Sequence, residues 1–160
     1  MRSWLALLAL VPSVSIAGAQ IRLWELVEGQ SKTAAPASIQ AVLANAERSR
    51  LADCISERTY HEDVLRTYFA AVPLPLAKAS STYLVYPSSP CTEFFGAHSV
   101  EFWLVEDHPD GNISILFNGR QDGLSVLRTS TRGHRDISLH YGSEESALRF
   151  NGQRYVVVPE

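Results

Sequence analysis

The stretch Glu93-Phe94-Phe95-Gly96-Ala97-His98-Ser99, just after the second cysteine, carries the residues best suited to chemistry. A histidine can serve as general base and an adjacent serine as nucleophile if an acid such as Asp136 orients the ring. The same residues also read as a rigid loop, tied by Cys91 and turned by Gly96, that presents Glu93, His98 and Ser99 to a ligand. In the plainest case His98 only caps a strand and Gly96 supplies an unusual backbone angle. Binding is expected from this loop, and no residue is assigned a catalytic role.

A second group is Gly133-His134-Arg135-Asp136. Its mixed charges between two strands could contact a ligand through His134 and Asp136. Alternatively the short Asp136 carboxylate accepts backbone N–H groups and pins the turn. His134 and His140 are an even number apart and share a sheet face if both are extended. With His98 they could make a three-histidine site, but two histidines on a solvated face explain the spacing as well, and no metal is expected. His61-Glu62-Asp63 diverge around a helix and suit an acidic first turn. There is no G-x-S-x-G, H-E-x-x-H, P-loop or Gly-rich dinucleotide turn, so no cofactor is expected.

These groups need a compartment and a scaffold. In the 160-residue chain, Arg2 precedes an apolar run from Trp4 to Val11, and small residues lead to Ala17-Gly18-Ala19. That order is a secretory signal peptide over 1–19, with Gln20 as the new N-terminus. The run is far shorter than the ~20 residues that span a bilayer. Cys54 and Cys91 are the only cysteines, and an even count in an exported protein suggests a disulfide. Two metal thiolates are the alternative, but no C-x-x-C pair is present. The net charge is −3, and loss of Arg2 makes it one unit more negative. A mildly acidic chain is a poor partner for nucleic acid or anionic membranes.

Residues 20–38 read as a short segment followed by a Ser/Thr/Ala/Pro-rich linker, and residues 39–160 as a single domain. Ile39, Val42, Leu43 and Ala46 share a helical face behind Ser38 as N-cap. Thr59-Tyr60-His61-Glu62 has capping-box form, and Val64, Leu65, Tyr68, Phe69 and Val72 continue as a helical stripe ended by Pro73 and Pro75. From Ser80 onward the period is two. Strands are expected at 82–86, 100–106, 113–117, 124–127, 137–141, 147–150 and 154–158. Asn151-Gly152 should form a two-residue type I′ turn that sets Phe150 opposite Gln153. Helices followed by an antiparallel β-meander make the expected fold class α+β.

The C-terminal half, through Gly133-x-x-Asp136-Ile137-x-Leu139 and Phe150-Asn151-Gly152-x-x-Tyr155, resembles small exported bacterial proteins of unassigned function. Gly96-Ala97-His98-Ser99 before an aromatic-rich strand is similar to them too. The resemblance implies a periplasmic setting and carries no catalytic residue. Such proteins include inhibitors and immunity proteins that neutralise cell-wall hydrolases, so a non-enzymatic periplasmic or secreted binding protein with a protein partner is the leading expectation. A small hydrolase using His98 with Ser99 or Asp136, and a structural envelope subunit, are the competing expectations.

Overall fold

A computed structural model describes residues 20–57, 68–89 and 91–159. The expected leader over 1–19, and Thr59–Leu65 of the second expected helix, lie outside them. Three short helices are described: α1 (Leu23–Glu28), α2 (Ala37–Ala46) and α3 (Arg48–Glu57). The nine strands among the described residues are β1 (Gln20–Arg22), β2 (Phe69–Leu74), β3 (Ser81–Pro87), β4 (Val100–Asp107), β5 (Ile113–Gln121), β6 (Gly123–Thr131), β7 (His134–Tyr141), β8 (Glu144–Phe150) and β9 (Tyr155–Val158). Every pairing is antiparallel. One sheet runs β2-β3-β4-β5 and the other β1-β6-β7-β8-β9.

The two sheets face each other across one core. Leu84, Phe102 and Leu104 from the first meet Leu124, Ile137 and Leu148 from the second. A second core lies on the other side of the first sheet. There Ile39 and Leu43 of α2 and Leu51 of α3 cover Phe69, Val85 and Trp103. Alternate residues of β4 thus enter different cores, and the strand is buried along nearly its whole length. A strand buried on both faces reads as a continuous apolar run, as Phe102-Trp103-Leu104-Val105 does.

The α+β class with leading helices is therefore corrected. The fold is mostly β, a sandwich-like pair of antiparallel sheets, and the short helices pack on it. The decisive segment is 68–74. Phe69 and Val72, read as part of a helical stripe, lie in β2, paired with Pro87 and Leu84 of β3. A four-residue apolar run satisfies both periods, and its neighbours decide between them. Pro73 is tolerated because β2 is an edge strand. That edge is partly covered: the Gln40 side-chain amide donates to the Phe69 carbonyl and accepts from the Phe69 N–H. Gln40 thereby blunts an open ladder. The α2 N-cap is Pro36 rather than Ser38, two residues earlier than the apolar stripe indicates.

The seven expected strands from Thr82 onward are all present. The last hairpin differs in register. Asn151 N–H donates to the Arg154 carbonyl at 2.9 Å, so the loop is Gly152-Gln153 and Phe150 faces Tyr155. Asn151 does not take positive φ; Gly152 alone does, at +110°. The Asn151 side chain instead accepts from the N–H groups of Gln153 and Arg154, an Asx-type closure that displaces the type I′ turn by one residue. Leu148, Phe150 and Tyr155 are buried, because a two-residue slip in pairing preserves the face. Gly152→Val should lower stability by about 1–2 kcal/mol, since a β-branched residue is strained at positive φ. An unchanged urea midpoint would contradict this assignment.

Candidate functional site

The loop after Cys91 folds back as a tight hairpin. Phe95 bridges Val100, and Gly96 N–H donates to the Ser99 carbonyl at 2.8 Å. Ser99 is buried with its hydroxyl over Gly96; a Cβ on Gly96 would fall 2.5 Å from it. Gly96 therefore serves close packing. His98, by contrast, is exposed. Glu93 contributes its carbonyl oxygen, which accepts from Arg50 and Arg120. The loop thus does not aim His98 and Ser99 at one point. No hydrogen bond or ion pair joins His98 to Asp136 among the described residues.

His134 and Asp136 occupy the start of β7, where the ladder to β6 shifts register between Val126 and Ser130. His134 stacks on Phe150 at 3.8 Å, and its Nε2 lies 3.3 Å from Oε1 of the buried Glu106 on the opposite sheet. Asp136 is buried and its Oδ1 has no hydrogen-bond partner. The Tyr155 hydroxyl donates to the Arg135 carbonyl at 2.6 Å. Burial, with the Asp136 and Glu106 carboxylates nearby, pushes the Tyr155 phenol well above its ordinary range. This cluster joins the two sheets. His108 extends it: Nε2 lies 3.0 Å from Ser114 Oγ and 3.7 Å from Glu106 Oε2.

His98 opens onto a cleft of about 480 Å³ lined also by Trp24, Glu25, Glu28, Asp122 and His140. Trp24 comes from α1 and packs edge-on against Phe95, its rim still 37 % exposed. Asp122 is the residue between β5 and β6, where the chain crosses from one sheet to the other. Its Oδ2 accepts from Gly142 N–H at 2.6 Å, while its Oδ1 is buried without a partner. The other carboxylates are already engaged: Glu25 with Arg22 at 3.6 Å and Glu28 with the Trp24 indole.

His140 stands at the cleft with contacts on both ring nitrogens. Ser125 Oγ lies 3.0 Å from Nε2, and Glu145 Oε1 lies 3.4 Å from Nδ1. Glu145 also accepts from Ser138 at 3.3 Å. Register explains the grouping. Gly123 pairs with His140, His140 with Glu145, and Ser125 with Ser138, so these side chains leave one face of the sheet. His98 and His140 thus line one cleft, while His134 lies apart against Glu106 and Phe150. Among the described residues no three His, Cys, Asp or Glu side chains are placed to hold a metal ion.

Sequence reasoning passed over Trp24, Glu106, Asp122, Ser125 and Glu145. One pairing was within reach. Tyr141-Gly142-Ser143-Glu144 is a two-residue hairpin with Gly142 at φ +58°, and recognising it would have placed His140 opposite Glu145. Comparison with protein-family models, curated proteins and solved structures finds no match.

Proposed function

We propose that this is an exported binding protein, periplasmic or secreted and of the inhibitor or immunity type. Its cleft beside His98 receives a basic side chain of a protein partner. The observation that carries this reading is the Trp24 indole, 37 % exposed, at a cleft that the Glu25, Glu28 and Asp122 carboxylates also line. A guanidinium or ammonium group suits both at once, by a charge-assisted hydrogen bond and by lying over the aromatic face. The net negative charge favours such a partner's approach. The Cys54–Cys91 disulfide suits an oxidising compartment, and no described helix is long and apolar enough to cross a membrane. The hydrolase reading built on His98 with Ser99 loses support because the Ser99 hydroxyl is packed against Gly96.

Trp24 provides the test, since the other described tryptophan, Trp103, is buried. Titration with a short lysine- and arginine-rich peptide should quench the exposed indole's fluorescence, and an acidic peptide should not. Asp122→Asn should weaken the basic peptide roughly tenfold, the scale of one charge-assisted hydrogen bond. His98→Ala should weaken it less. Equal affinity in Asp122→Asn would remove the basis for this reading.

A further inference from the structure

We propose that Ser125 is an activated nucleophile, with His140 as its general base and Glu145 as the group that positions the ring, and that this centre takes carboxylic esters. The inference goes beyond the binding reading and does not depend on it.

The case begins with the two nitrogens of His140. Glu145 at Nδ1 favours the tautomer with the proton on that nitrogen, which leaves the Nε2 lone pair facing the Ser125 hydroxyl. Among the described histidines this division is particular to His140. At His108, Ser114 and Glu106 converge on the same Nε2, so no proton can be relayed from one side of the ring to the other. At His134 the Nε2 faces Glu106, and Nδ1 has no partner. His98 has neither contact.

The surroundings of Ser125 supply the remaining parts. Gln20 is its cross-strand partner on β1, so the Gln20 side chain leaves the same face beside the hydroxyl. Its amide N–H is a donor for the negative oxygen of a tetrahedral intermediate. Arg22 follows two residues on, on the same face and at the same cleft. Between Arg22 and His140 the ladder position is Gly123, which puts no side chain there. His140 itself is largely covered, its side chain 14 % exposed, which strengthens its contact with Ser125 relative to water.

The chemistry balances without a cofactor. Ser125 Oγ bonds to the acyl carbon as His140 Nε2 takes the hydroxyl proton. The ester C–O bond then breaks, and the alcohol departs with that proton. A water molecule repeats the sequence on the acyl-serine, releasing the acid and restoring the hydroxyl.

The probes are a fluorophosphonate and p-nitrophenyl acetate, applied to the exported protein with its disulfide intact. Peptide mass mapping should find the phosphonyl group on Ser125, and Ser125→Ala should not be labelled there. His140→Gln should slow labelling at least a hundredfold with unchanged thermal unfolding. Glu145→Gln, at a side chain 66 % exposed and so tolerant of change, should slow it roughly tenfold and displace the pH–rate profile, which a purely structural role would not do. If His140→Gln fails to fold, Glu145→Gln carries the test. Absence of labelling, labelling at another residue, or equal rates in wild type and Glu145→Gln would overturn the proposal. Fluorophosphonate labelling reads this proposal and the Trp24 peptide titration reads the basic-partner reading, so the failure of either is separately visible.

Discussion

Replacing Cys54 and Cys91 together by alanine should lower unfolding stability by about 4 kcal/mol. The bridge spans a sequence separation of 37 with Cα atoms 5.7 Å apart. Cutting it frees a long loop in the unfolded chain, and the chain-entropy relation gives that magnitude. The bridge also ties α3 to the loop that leads into β4, and both cysteines are buried beside Phe94 and Trp103. Urea unfolding of the double variant, or of wild type with reductant, measures the loss. A loss below about 1 kcal/mol would show that the helices and the loop hold without it. Because the bridge anchors the Cys91–Ser99 loop, the variant should also weaken the Trp24 titration, through mobility of the His98 wall.

The second large effect lies at Glu101. Its carboxylate accepts two bonds from Arg50, one at 2.8 Å, and others from Asn118 at 2.9 Å and Arg120 at 3.4 Å. Arg50 also holds Glu47 at 3.0 Å and lies 4.3 Å over the Phe94 ring. Burial alone would push the Glu101 carboxyl up, but Arg50, Asn118 and Arg120 outweigh it and hold the group below the ordinary carboxylate range. A carboxyl depressed in the folded state adds stability at pH above its unfolded value, and the gain is lost as pH falls through its folded value. Glu101→Ala should cost about 2 kcal/mol near neutrality. That is less than a fully buried pair would lose, because Arg50 is 29 % and Arg120 40 % exposed. Glu101→Gln should flatten the acid limb of the stability curve. An acid limb as steep as wild type would mean that other carboxylates govern it.

These two features differ in how far they could be read in advance. The cysteine pair was legible from count and compartment alone. The Arg50–Glu101 network was not, since its members come from α3, β4 and β5 and meet only when those elements stack. His98 was legible as an exposed loop residue, and the structure places it at the wall of a cleft. Its neighbours Trp24, Asp122 and His140 come from positions far apart in the chain.

The sequence by itself determined the local grammar. Period-two alternation placed seven strands, and Gly111 turns the chain between β4 and β5 at φ +84°. Cysteine parity indicated the bridge. Each of these signals acts within a few residues or is a simple count. Tertiary structure decided the rest. It made Phe69–Leu74 an edge strand, because pairing with β3 and cover from α2 outweigh a helical reading of a short apolar run. It sorted the strands into two sheets, with α2 and α3 against one of them. It also set the register that brings Ser125, His140 and Glu145 to one face. Those outcomes depend on which distant strands pair and how their layers bury apolar surface, and no local window of the chain contains that information.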